Sequence, residues 1–121
     1  VGVKMDYPRR GEIWRVALGA GTGSEIVKTR PAVIISNNVN NQYAQTVTVL
    51  PVTSNIARAY PFETILESET TGLLSKSKVK CNQVRTVDKR RLVKKTGFLS
   101  GEELRRVENA LLIHLDIETP Y

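Results

Sequence analysis

VKTRPAVIISNN, residues 27–38, decides how this chain is read. Its middle, Ala32 to Ile35, is too continuously apolar for a half-exposed strand and reads as a core strand covered on both faces. An obligate cation, Arg30, stands with Pro31 directly before it, and Ser36-Asn37-Asn38 directly after. Pro31 suits the first position of a strand, where a missing N–H costs little, and biases Arg30 towards an extended backbone. A buried strand therefore carries a stiffly held guanidinium at its mouth.

Working outward, β-branched apolar runs recur at Glu12–Leu18, Pro31–Ser36, Thr46–Val52, Phe62–Leu66, Val79–Val87 and Leu92–Leu99, six short strands in all. Val47, Val49, Leu50 and Val52 share the continuous character of Val33 to Ile35, so these two strands are expected at the centre, with the others as edges. Val79, Cys81 and Val84 break strict alternation, which predicts a bulge at Asn82-Gln83 that re-aims Gln83 and Arg85. Residues 19–24, Asn37 to Asn41 and Glu67 to Leu74 carry the Gly, Asn and Ser of turns and loops. Ser100-Gly-Glu-Glu103 has the form of a capping box, so a helix starts there. Leu104, Val107, Leu111 and Leu115 give it one apolar stripe, with Glu102 and Arg106 at i,i+4 opposite.

A chain of 121 residues is most simply one domain, 1–121 with its core at about 9–117. The single cysteine, Cys81, cannot form an internal disulfide, and no Cys/His spacing beside it suits zinc. No segment approaches the roughly 20 apolar residues of a membrane span, and no apolar run follows the charges of Val1 to Arg10. The expectation is a soluble, untargeted, cytoplasmic protein. The net charge of +6 favours a polyanionic partner. Lys76, Lys78, Lys80, Arg85, Lys89, Arg90, Arg91, Lys94 and Lys95 crowd one stretch against a lone Asp88. That stretch reads either as a solvated face or as a polyanion-binding one.

Several chemistries are disfavoured. The glycine-rich segment 19–24 lacks the Gly-Lys-Ser/Thr ending of a phosphate loop and precedes a strand, so it reads as a loop, or as a lid beside the active strand. His114 is the only histidine, which removes Ser-His-Asp and paired-histidine mechanisms. The carboxylates form no cluster for magnesium, so no metal or other cofactor is expected. What remains is Arg30 before one inner strand and Thr53-Ser54-Asn55 after another. If the two strands are antiparallel neighbours, Arg30 and Thr53 converge, a donor pair suited to a phosphate in five-coordinate transition. The alternative is an arginine snorkelling at a strand end and a threonine satisfying its own turn.

At these residues the chain resembles the MazF/PemK (Kid) family of toxin endoribonucleases. The resemblance runs from about Arg9 to Ile117 through six ordered blocks: Arg10-Gly-Glu-Ile-Trp14, Gly23-Ser-Glu25, Arg30-Pro-Ala-Val-Ile-Ile-Ser36, Leu50-Pro-Val-Thr-Ser54, Tyr60-Pro-Phe-Glu63 and Asn82-Gln-Val-Arg-Thr-Val-Asp-Lys-Arg-Arg-Leu92. It implies a mainly β, SH3-like, partly open barrel of the CcdB/PemK type with a C-terminal helix. It further implies a homodimer, neutralisation by a cognate antitoxin with which it binds DNA, and growth inhibition by sequence-selective, metal-independent cleavage of single-stranded mRNA. By position, Arg30 and Thr53 resemble the catalytic pair. Ser24, Glu25, Asn37, Ser54, Gln83 and Arg85 are implied in substrate binding.

The implied reaction is attack of a ribose 2′-OH on the adjacent phosphorus, leaving a 2′,3′-cyclic phosphate and a 5′-OH. Arg30 would neutralise the phosphorane and protonate the leaving oxygen, and Thr53 would donate to a non-bridging oxygen. The family also uses the arginine as base, a role at odds with the permanent charge of guanidinium groups at neutral pH. Lys76, Lys78, Lys80 and Arg85 would steer RNA towards stacking residues such as Tyr43 or Tyr60. Two rivals share these features: a non-catalytic toxin of the same fold that binds DNA gyrase, and a basic RNA-binding barrel.

Overall fold

The computed structural model describes residues 6–67 and 69–118. Seven strands follow in chain order: β1 (Glu12–Ala17), β2 (Thr29–Ile34), β3 (Thr46–Thr53), β4 (Glu63–Leu66), β5 (Ser77–Lys80), β6 (Arg85–Asp88) and β7 (Leu92–Phe98). A short helix, α1 (Asn38–Tyr43), follows β2, and the long α2 (Gly101–His114) comes last. Every ladder is antiparallel. The order is β4-β5-β3-β2-β1-β7, with β6 added beside β3. No ladder joins the end strands β4 and β7 among the described residues, so the expected partly open β architecture with a C-terminal helix holds.

The central pair is the expected one. β3 is flanked by β2 along Val49–Pro51 on one edge, and on the other by β6 along Thr46–Val49 and then by β5 at Val52–Thr53. Pro51, with no N–H to offer, falls in the gap between the β6 and β5 ladders, where a proline is tolerated inside a central strand. Alternation divides the apolar side chains between two clusters. Ile13, Val33, Leu50, Val52 and Val79 pack with Val107 and Ala110 of α2, while Val16, Ala32, Ile34, Val47, Val49 and Val87 form the second, under Trp14, Ile26 and Leu92. Both faces are covered, which is why these strands read as unbroken apolar runs.

Five expectations are corrected. The strand expected over Val79–Val87 is two strands, because Cys81–Gln83 form a 3₁₀ turn rather than a bulge. The turn lowers Cys81 into the core, where its thiol meets the Val107 carbonyl at 3.8 Å, and lets one segment serve β3 twice. β2 begins at Thr29, so Arg30 lies within the strand, opposite Val16 on β1. Pro31 is tolerated there because the β2–β3 ladder stops at Ala32↔Pro51. The asparagine-rich stretch is not all loop: Asn37 caps α1, its side chain accepting the Asn40 N–H at 2.8 Å, as short polar side chains do at helix starts. In α2 the capping box forms as expected, but Leu115 is 47 % exposed, and Ala110 joins Val107 in the buried face. Helix charge pairing also differs, since Arg10 reaches Glu108 at 2.7 Å and no ion pair joins Glu102 to Arg106.

A close crossing shapes the open end of the sheet. A Cβ on Gly72, whose φ is +68°, would stand 2.0 Å from the Thr96 carbonyl oxygen, and one on Gly97 would stand 2.2 Å from that of Thr71. Only glycine at both positions lets the chain after β4 pass against β7. The contact fixes the segment Gly72–Ser75 as one wall of the site described next.

Candidate functional site

Arg30 and Thr53 sit at the mouth of the β2–β3 pair. Lys28, at φ +69°, turns the chain into β2, and the hairpin is held by Leu18 N–H to the Lys28 carbonyl and Lys28 N–H to the Gly19 carbonyl, both 2.8 Å. Arg30 Nε donates back to the Val27 carbonyl at 3.3 Å, so its guanidinium is steadied by its own entry turn. Thr53 ends β3, and its Oγ1 accepts the Asn55 N–H at 3.2 Å, which leaves the hydroxyl hydrogen free to donate elsewhere.

These two residues border the same two cavities. One, of about 230 Å³, is walled by Arg15, Pro31, Ser54, Leu73 and Ser75 as well. The other, also about 230 Å³, is walled by Glu25, Ile26 and Val27. Glu25 then borders a third, of about 670 Å³, together with Ser24, Gln83 and Arg85. The cavities thus abut in a row with Arg30 and Thr53 between the first and second. Of the eight residues singled out from sequence, seven lie along that row. Asn37 does not: β2 runs away from Arg30, and the capping residue of α1 lies past its opposite end.

Gln83 and Glu25 are already engaged. Gln83 Oε1 accepts the Ile26 N–H at 2.7 Å, and its Nε2 donates to the Ser24 carbonyl at 3.0 Å. Both ends of the amide therefore clamp the loop ahead of β2. Glu25 Oε1 accepts the Thr22 N–H at 2.5 Å inside that loop. Arg85 adds a third tie, its Nη2 donating to the Leu18 carbonyl at 3.3 Å. The 3₁₀ turn that replaced the expected bulge is what carries Gln83 over the loop.

The basic stretch divides. Lys78 and Lys80 each place Nζ 3.1 Å from a carboxylate oxygen of Glu63, whose side chain is wholly enclosed, and Lys78 also donates to the Arg58 carbonyl. Lys76 faces Glu67 at 3.7 Å, and Lys95 faces Glu12 at 2.8 Å. The expectation that Lys78 and Lys80 steer RNA is corrected, because a buried carboxylate holds both. Burial works against the charge of Glu63, yet the Tyr60 N–H and the ammonium groups of Lys80 and Lys78 prevail and hold it below the usual carboxylate range. Glu12 is lowered in the same manner, burial being outweighed by the Arg9 N–H, Lys95 and Trp14.

The remaining reactive side chains stand apart from the row. Burial, with the Glu63 charge adding to it, pushes the Cys81 thiol up to about 12, which leaves it unreactive at neutral pH. His114 ends α2 with its ring 6.2 Å from that of Phe62. Tyr60 stacks on Phe62 at 5.3 Å, and Tyr43 is 77 % exposed on α1. No group of three His, Cys, Asp or Glu side chains gathers for a metal among the described residues. No helix is long and apolar enough to cross a membrane.

Two parts of the site escaped sequence reading. The Gly72–Ser75 wall comes from a segment distant in sequence, announced only by Gly97 inside a strand. Arg15 had a clearer signal: it follows fully buried Ile13 by two positions, a cation on the core-facing register of β1.

Comparison with known proteins converges on one family. The family described as PemK-like, MazF-like toxin of type II toxin-antitoxin system matches residues 9–115. A Mycobacterium tuberculosis protein named Endoribonuclease MazF9 is 44 % identical over 114 residues, 90 % of this chain and 97 % of that protein. Endoribonuclease MazF of Staphylococcus saprophyticus is 37 % identical over 112 residues, 92 % and 93 % of the two chains. Among solved structures, a mycobacterial endoribonuclease in complex with its cognate antitoxin superposes with a TM-score of 0.79 at 24 % identity, over 93 % of this chain and 99 % of that one.

Proposed function

Because the chain belongs to the PemK-like, MazF-like toxin family, we propose that it is a toxin endoribonuclease that cuts single-stranded RNA at the mouth of the β2–β3 pair. The observation that carries this reading is that Arg30 and Thr53 border the same two cavities, at the centre of a row lined by Ser24, Glu25, Ser54, Gln83 and Arg85. A strand laid along the row meets a guanidinium and a free hydroxyl hydrogen at one point and separate hollows for bases to either side.

The reaction is metal-independent. The ribose 2′-oxygen attacks the adjacent phosphorus as the 5′-oxygen leaves, giving a 2′,3′-cyclic phosphate and a 5′-OH. Arg30 stabilises the charge gathering on the phosphorane, and Thr53 Oγ donates to a non-bridging oxygen. DNA, lacking the 2′-OH, is left intact. Gln83 acts on substrate through the loop that it holds, setting where Ser24 and Glu25 stand. Cleavage is sequence-selective, since unstacked bases are read in pockets rather than through a helical groove.

The whole chain acts as one toxin domain in the cytoplasm, as a homodimer with paired grooves. A cognate antitoxin lays a disordered acidic segment over the cationic row. The test is to incubate the protein with a long unstructured RNA in EDTA, beside Arg30→Ala and Thr53→Ala, and to map the ends. The expected result is cleavage by the wild type alone, with cyclic phosphate ends. Absence of wild-type cleavage, or equal cleavage by both variants, sinks the reading.

A further inference from the structure

The cavity on the β1 side of Arg30 has a lining that a single scissile phosphate does not use. Alternation turns Arg15 to the same side of the sheet as buried Ile13, so its guanidinium borders this cavity. Arg15 Nη2 makes one long bond, 3.3 Å, to the Thr29 carbonyl. Across the β1–β7 ladder it stands directly opposite Lys94, and like charges so placed are destabilising. No carboxylate relieves them: Arg15, Arg30 and Lys94 make no ion pair among the described residues, whereas Lys76, Lys78, Lys80, Arg90 and Lys95 all do. The cavity's other polar side chains are hydroxyls, those of Thr53, Ser54, Ser75, Ser77 and Thr96, with no acid among them. The Ser77 and Thr96 hydroxyls already donate to the Ser75 and Ile13 carbonyls, but two forked cations, the hydroxyls of Thr53, Ser54 and Ser75 and no acidic group describe an anion site.

We propose that this cavity is a second phosphate subsite, anchored by Arg15, which takes the RNA phosphate next to the scissile one. The proposal rests on the endoribonuclease reading for the identity of the chain that enters. Arg15 stands opposite Pro31, the neighbour of Arg30, roughly 6 Å from Arg30 between backbones. Alternation starts the two side chains on opposite faces, and both border the cavity at the strand mouth, so adjacent phosphates of one extended strand meet one guanidinium each. The hydroxyls of Ser54 and Ser75 donate to the phosphate and to the ribose beside it. The Gly72–Gly97 crossing holds their wall in place. Arg15 thereby positions the strand and takes no part in bond breaking.

The test uses a short oligonucleotide spanning one mapped cleavage site, 2′-deoxy at the scissile ribose so that it binds uncut. Each flanking phosphate is replaced in turn by a neutral methylphosphonate. By fluorescence anisotropy, Arg15→Gln is expected to bind the parent about 10-fold more weakly and to lower the salt slope by about 0.7, with Arg15→Lys recovering part of the loss. One methylphosphonate position should weaken the wild type by a similar factor and leave Arg15→Gln unaffected. On the ribose substrate KM should rise while kcat stays nearly unchanged, with a thermal midpoint no lower than that of the wild type, since the substitution also relieves the repulsion from Lys94. Undiminished binding by Arg15→Gln, or a loss that is the same with either flanking phosphate neutral, overturns the subsite. If the wild type cuts no RNA, the endoribonuclease reading fails separately. The subsite then stands or falls on whether Arg15→Gln lowers the salt slope of deoxyoligonucleotide binding.

Discussion

Around Glu63 the cations are consumed by the fold: Lys78, only 6 % exposed, and Lys80 both reach one enclosed carboxylate at 3.1 Å. At the open end of the β2–β3 pair, Arg15, Arg30 and Lys94 face solvent, and none of them is neutralised by a carboxylate among the described residues. Residues 76–95 look like one basic cluster in the sequence, yet their availability to a polyanion differs from side chain to side chain. The lesson concerns what positive charge means in a small basic protein. A net charge sets the sign of the long-range field, but only unpaired cations beside a cavity can exchange their counterions for phosphates. Lysines that hold a buried acid act on stability instead.

The contrast is broken or sharpened by exchanging one group at a time. The largest effect is expected at the rim, where Arg30→Ala should lower the cleavage rate by about 10³-fold, as loss of a transition-state donor does, with little change in urea midpoint. A stability loss matching the activity loss would erase the distinction between the two regions. Next is Glu63→Gln, which strands two ammonium groups and should cost about 3 kcal/mol in urea denaturation, while cleavage per folded molecule stays at the wild-type level.

Acid titration follows. Because Glu63 and Glu12 are held below the usual range in the folded chain, their stabilisation is complete above the unfolded value of about 4.3. It is lost as pH falls through the lowered folded values. Stability should therefore drop on the acid side of pH 4, and Glu63→Gln should flatten that limb. An unaltered acid limb would show that the carboxylate is not what the fold loses. The smallest effect belongs to Lys76→Ala. Its pair with Glu67 is exposed at both ends, so less than about 0.5 kcal/mol is expected, with RNA affinity close to wild type.

Much of this was legible in the chain itself. Val33 to Ile35 and Val49 to Val52 announced a central pair, and Ser100 with Glu103 announced the helix start. The placement of Arg30 and Thr53 at one end of that pair follows from the antiparallel order of two adjacent strands. Misreadings came where a local pattern was settled by distant partners. The irregular alternation at Asn82-Gln83 marked a real break, but the break became a turn because β3 changes partner at Pro51. Asn37 sits beside the core strand in sequence and at the opposite end of it from Arg30 in space, since an extended strand separates its own ends.

The two central strands, the start of the C-terminal helix and the two ends of the candidate catalytic pair were determined by the sequence alone, because continuous apolar runs and a capping box act within a few residues. Which cations are neutralised, where Gln83 points and that Arg15 borders the same cavity as Arg30 were decided only by the tertiary structure. Those facts depend on groups far apart along the chain, 15 residues for Glu63 and Lys78 and 59 for Ser24 and Gln83. An ion pair or a hydrogen bond acts only at contact distance, and contact between such residues exists only once the sheet has set its register.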